Sequence, residues 1–178
     1  MTAWMCPFKF IGHIWRQLGL GDNINRNIPS KIENLPPIKY VACGSYHTLF
    51  VDIEGIVYSC GSNFFGQLGL GDTIDRNIPI KIENLPPIKY VACGYVHTIL
   101  VDCEGIVYSC GSNDRGKLGL GDNISRNIPN KIPNLTSIKY VACGAHHTIF
   151  VDFACPKDML IIGPLGLLFR GSSLLLWF

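Results

Sequence analysis

The sequence contains no run of lysine or arginine. Its 15 basic residues are scattered among 13 acidic ones, leaving a formal net charge of +2 at pH 7. No contiguous patch therefore presents itself for neutralising phosphates, and direct nucleic-acid binding is not expected. No secretory leader is expected either, because the first dozen residues lack a basic start, a long apolar stretch and a cleavage site. The 8 cysteines are accordingly read as reduced thiols of an intracellular protein, cytoplasmic or nuclear, and not as a disulfide framework. Charge is sparse at 16% against 48% hydrophobic residues, which argues against a disordered chain and for a buried core. An uninterrupted membrane span is absent too. Met159 to Phe178 carries one charge, Arg170, but Gly163, Pro164, Gly166 and Gly171 would break a helix there, so a membrane is not an expected partner.

What the sequence does contain is a repeat. His47, His97 and His147 recur at a spacing of 50 residues, as do Gly19, Gly69 and Gly119. The same shift superposes IKYVACG at 38, 88 and 138, RNIP at 26, 76 and 126, and LGLGD at 18, 68 and 118. Within one period, IKYVACG, HTILVD and GIVYSCG are short runs rich in Val, Ile, Tyr and Thr, divided by glycine-containing turns, which predicts three strands. IPIKIENL at 78–85 predicts a fourth, and Pro79, having no backbone donor, suits an edge position.

These strands are apolar on both faces, as a sheet stacked between two similar sheets requires. The expected fold is all-β: a partial β-propeller of about three four-stranded blades, followed by an irregular apolar C-terminal tail. Gly69, Gly71, Gly119 and Gly121, with Asp72 and Asp122, mark LGLGD as a structured loop whose glycines accept positive φ and whose aspartate caps turn amides. The repeat fails at both ends. Residues 1–16 are read as an irregular segment with a degenerate repeat start, 17–152 as the tandem propeller repeats, and 153–178 as an apolar tail outside them.

No catalytic constellation stands apart from the repeating scaffold, and no enzymatic activity or cofactor is expected. Each repeated histidine follows a cysteine by four residues, but a zinc site needs four convergent ligands and the repeat supplies its pair once per blade on separate sheets. His47, His97 and His147 are therefore expected to be structural, with ring nitrogens bonded to the turn backbone, and no metal is expected. LGLGD lacks the Lys-Ser/Thr ending and following helix of a phosphate loop.

Scaffold requirements are alike in every copy, so positions that differ between copies carry other information. They fall in two loops: Ser45-Tyr46, Tyr95-Val96 and Ala145-His146 in one, Phe64-Phe65 and Asp114-Arg115 in the other. Tyr46, Phe64, Phe65, Tyr95, Asp114, Arg115 and His146 are candidate partner contacts, since aromatic and arginine side chains on rigid scaffolds anchor interfaces. Free drift at tolerant loop tips remains the alternative.

The motifs G-x-x-H-T-x-x-V-D, G-x-V-Y-S-C-G-S-N and G-x-L-G-L-G-D closely resemble the repeat of the regulator of chromosome condensation family, over residues 17–152. The resemblance implies a seven-bladed propeller in which one blade draws strands from two adjacent repeats. It also implies roles that range over guanine-nucleotide exchange on a Ran-type small GTPase, chromatin binding and service as a binding platform. Two departures stand out: Cys60 and Cys110 replace an aromatic residue of the third strand, and about three repeats are present where the resemblance implies seven. The expected function is a non-enzymatic protein-interaction module, with nucleotide exchange on a small GTPase, or a truncated remnant without independent function, as the alternatives. Self-association through open blade faces is a further expectation.

Overall fold

The computed structural model describes residues 16–135, 138–152 and 159–162. Strands β1 (Ile38–Cys43), β2 (His47–Asp52), β3 (Val57–Gly61) and β4 (Arg76–Lys81) form an antiparallel sheet in that order. Strands β5 (Ile88–Cys93), β6 (His97–Asp102), β7 (Val107–Gly111) and β8 (Arg126–Lys131) repeat it as a second sheet. The third sheet orders β9 (Ile138–Cys143), β10 (Thr148–Asp152) and β11 (Met159–Ile162) as a three-stranded meander. All-β architecture and blade-like four-stranded sheets thus follow the reading of the sequence.

The reason for stacking lies in the middle strand of each blade. Every side chain of β2 and β6 is buried, on both faces of the sheet. Leu49, Val51 and Val57 of the first sheet meet Val91 and Leu100 of the second, and Ile99, Val101 and Val107 of the second meet Phe150 of the third. The wedge between sheets is filled from the connecting segments, by Leu70, Ile82 and Leu85 in one interface and Leu120, Ile132 and Leu135 in the other. Leu20, Ile32 and Leu35 cover Phe50 and Cys60 in the same way, so part of the outer face of the first sheet is closed by residues ahead of β1.

Three details differ from the sequence reading. The fourth strand runs over Arg76–Lys81 rather than 78–85, because Asn84 adopts φ 60° and cannot continue an extended strand. Pairing of β3 with β4 jumps from Ser59↔Ile80 to Gly61↔Arg76, so Pro79 lies in a bulge on an edge strand, where a missing donor costs little. Part of the segment read as an irregular tail is also a strand. β11 pairs with β10 from Thr148↔Ile162 to Val151↔Met159, in the place that β3 and β7 hold in their sheets. The remainder of that tail, and residues 1–15, lie outside the described residues.

Candidate functional site

Each blade joins the next through a buried polar relay. His47 Nε2 lies 2.9 Å from Thr98 Oγ1, and His97 Nε2 lies 3.2 Å from Thr148 Oγ1. Thr98 gives its one hydroxyl proton to the Gln67 carbonyl (2.7 Å), and Thr148 gives its own to the Lys117 carbonyl (3.2 Å). The imidazoles must therefore donate from Nε2, which fixes their tautomer. This corrects the expectation that the rings would bond their own turns: the partner sits on the next sheet. Burial pushes the His47 pKa down to about 4, and burial together with the Lys117 charge pushes that of His97 down to about 3. Both rings are neutral at physiological pH.

The glycine of G-x-x-H is explained by the same relay. A Cβ on Gly44 or Gly94 would overlap the ring of His47 or His97, so at these positions glycine answers crowding and not positive φ. In LGLGD, by contrast, Gly69 and Gly71 take φ of 71° and 87°. Asp72 Oδ1 accepts from the Ile74 amide (2.9 Å) and Asn63 Nδ2 (3.0 Å), while its Oδ2 accepts from Arg76 Nη2 (2.6 Å). Asp122 repeats these contacts with Ile124, Asn113 and Arg126, and the Ile124 amide and Arg126 hold its pKa below the ordinary value. The loop is also tied across the blade boundary, where Gly71 donates to the Asn127 carbonyl and Asn127 Nδ2 returns a bond to the Gly71 carbonyl, each 2.8 Å.

The candidate contact residues converge on one end of the molecule. In an antiparallel meander the loops after the first and third strands share an end, opposite the loop after the second. The Ser62 amide bonds the Tyr46 carbonyl at 2.8 Å, joining the two loops directly, and the Tyr95 amide reaches the Ala145 carbonyl of the next blade at 3.1 Å. Tyr46 and Tyr95 share a hydroxyl contact of 2.8 Å with rings 5.1 Å apart, and the Tyr95 ring lies 5.7 Å from that of His146. These three rings form a row across all three blades. Phe64 and Phe65 stack edge to face at 4.9 Å, and Phe64 is 73% exposed. Asp114 and Arg115 occupy the equivalent loop of the second blade, both exposed.

Asp114 is less available than its exposure suggests. Its carboxylate is held by the fully buried Lys117 and by Ser112 Oγ (3.0 Å), and Lys117 Nζ also donates to Ser112 Oγ (2.9 Å). Burial lowers the Lys117 pKa. Sequence reasoning passed over Lys117, although a signal was present: it stands where the other copies carry Gln17 and Gln67, directly before a matching L-G-L-G-D. Among the described residues no group of three or more His, Cys, Asp or Glu is placed to hold a metal ion. Nor is any described helix long and apolar enough to cross a membrane.

The profile of the regulator of chromosome condensation (RCC1) repeat matches residues 13–51, 54–101 and 104–151, well over half of the chain. The chain belongs to this repeat family. A second RCC1 repeat profile matches 38–67 and 88–117. Set on the sheets, the repeat boundaries are offset from the blades: β1 and β2 belong to the first match while β3 and β4 belong to the second, as the resemblance implies. Among solved structures, human WBSCR16 is 22% identical with a TM-score of 0.74, over 84% of this chain and 40% of its own. Prp20p from Saccharomyces cerevisiae, in a study of its binding to Gsp1p and histones, is 26% identical with a TM-score of 0.66, over 79% of this chain and 36% of its own. Yeast RCC1 (Prp20) bound to Kap60 is 24% identical with a TM-score of 0.70, over 83% and 37%. The chain thus spans about two-fifths of the length of these solved structures. No curated protein matches it.

Proposed function

We propose that the chain is a non-enzymatic protein-interaction module, intracellular in the cytoplasm or nucleus, whose working unit is the repeat region 17–152. Its contact surface is the loop end carrying Tyr46, Phe64, Phe65, Tyr95, Arg115 and His146. The observation that carries this reading is the aromatic row Tyr46–Tyr95–His146 on one end of a scaffold locked between blades. Rigid aromatic side chains give large contact area at small entropic cost, and they are over-represented at interface hot spots. The Prp20p relative, whose study concerns its binding to Gsp1p and histones, supports protein partners as the class. Purified chain bearing Tyr95→Ala and Arg115→Ala should lose at least one protein that the native chain captures, by about 2 kcal/mol of binding for an anchor residue. Retention of every captured protein by the double variant would contradict the assignment of this surface.

A second reading, nucleotide exchange on a small GTPase of the Ran type, draws on the same match to Prp20p. Exchange factors of this family engage the GTPase over several blades, and the chain spans 36% of that relative. The expected outcome is unchanged release of labelled GDP from such a GTPase; acceleration by the chain would favour exchange over the platform reading.

A further inference from the structure

The loop between the third and fourth strands makes the same demand in the first two blades and meets it with different chemistry. Asn63 and Asn113 are fully buried within it, and each needs an acceptor for its main-chain amide. In the first blade that acceptor is a carboxylate, Asp75 Oδ1, at 2.8 Å. In the second, 50 residues on, it is a hydroxyl, Ser125 Oγ, at 3.2 Å. The surrounding contacts are alike in both copies: the asparagine side chain bonds Asp72 or Asp122, and that aspartate pairs with Arg76 or Arg126. The first blade thus shows that this loop accepts an anion at the position of Ser125, beside an existing aspartate, and gives it a backbone donor.

The charges of the two loops differ in the complementary sense. Residues 62–76 hold one cation, Arg76, against the carboxylates Asp72 and Asp75. Residues 112–126 hold three cations, Arg115, Lys117 and Arg126, against the carboxylates Asp114 and Asp122. One loop is negative by a single charge and the other positive by a single charge. Ser125 is itself exposed, as are its neighbours Asn123, Ile124 and Asn127. It leads directly into β8, which stands at the end of the sheet order β5-β6-β7-β8. A modifying enzyme therefore meets an accessible hydroxyl on a short, solvent-facing stretch of chain.

We propose that Ser125 is a phosphorylation site, at which a phosphate takes the place that the Asp75 carboxylate holds in the preceding blade. In the transfer, Ser125 Oγ attacks the γ-phosphorus of a nucleoside triphosphate held by a protein kinase. The bond from that phosphorus to the bridging oxygen breaks, the nucleoside diphosphate leaves, and the hydroxyl proton passes to a base of the kinase. The product carries about two negative charges at neutral pH, which turns the loop from net positive to net negative. Its oxygens receive the Asn113 amide in a charge-assisted bond, stronger than the present bond to a neutral hydroxyl. The site stands on the paired loops alone, so it does not depend on which end of the molecule meets a partner.

Two measurements test it on the full chain. The native protein is incubated with ATP and a panel of serine/threonine kinases of acidic, basic and apolar preference, and the modified residues are located by tandem mass spectrometry. Ser125 should be labelled more heavily than Thr73, an exposed hydroxyl in the matching loop of the first blade. A second sample carries phosphoserine installed at position 125 during synthesis. In it, and in the Ser125→Asp chain, the Asn113 amide should exchange with deuterium about tenfold more slowly than in the native chain. Ser125→Ala should exchange faster. A panel that leaves Ser125 bare overturns the proposal. So does an Asn113 amide that exchanges as fast, or faster, once the phosphate is in place.

Discussion

At the scale of single residues, the repeat is held by groups whose chemistry leaves little choice. Gly94 has no room for a methyl group because the His97 ring fills it. Gly94→Ala should displace that ring, break its bond to Thr148 and cost about 2–3 kcal/mol, as overpacking of a buried site typically does. The denaturation midpoint in urea would fall with little change in slope. Acid should weaken the same joints. An unfolded histidine titrates near 6.5, whereas His47 in the fold titrates at about 4 and His97 at about 3. Between those values the unfolded chain binds protons that the folded chain refuses, so stability rises with pH in this window. The contribution is complete above pH 6.5 and declines as pH falls, by up to about 1.4 kcal/mol per unit for each ring. Urea midpoints measured from pH 7 to 4 check this, and the His97→Gln chain should show a shallower decline.

At the scale of elements, the Asp-centred loop and the strands it connects behave as one unit. Asp72→Ala removes the acceptor of the Ile74 amide, Asn63 and Arg76 together, and about 1–2 kcal/mol of stability should go with it. Arg76→Ala removes a partly exposed ion pair and the Nη1 bond to the Ile74 carbonyl (2.6 Å), leaves the Asp72 bonds to the Ile74 amide and Asn63 in place, and should cost less than about 1 kcal/mol. Comparing the two melting temperatures at one salt concentration tests that order. The strands themselves were legible because glycine-bounded Val, Ile and Tyr runs say where extension starts and stops. The fourth strand was placed too late because nothing in ENLPP announces the left-handed Asn84. β11 is not announced in the sequence because MLII carries no repeat motif and begins two residues farther from the end of β10 than β3 begins from the end of β2. The histidine partners were out of reach for a different reason: Thr98 is 51 residues from His47 and is brought beside it only by stacking one sheet on another.

At the scale of the whole molecule, the blade stack has two chemically distinct ends. One carries the rings of Tyr46, Tyr95 and His146 with Phe64 and Phe65; the other carries the tight turns capped by Asp52 and Asp102, whose carboxylates accept from the Glu54 and Glu104 amides at 2.9 Å. Variation between copies marked the first end in the sequence, but the row could not be read there, since Tyr46 and Tyr95 occupy different positions of their repeats. The most direct measurement places a photo-crosslinking amino acid at position 95 in one chain and at position 54 in another, and compares the proteins captured by each. Protein adducts from position 95 and none from position 54 are the predicted result. Adducts from position 54 alone would place the contact surface at the opposite end and contradict the account.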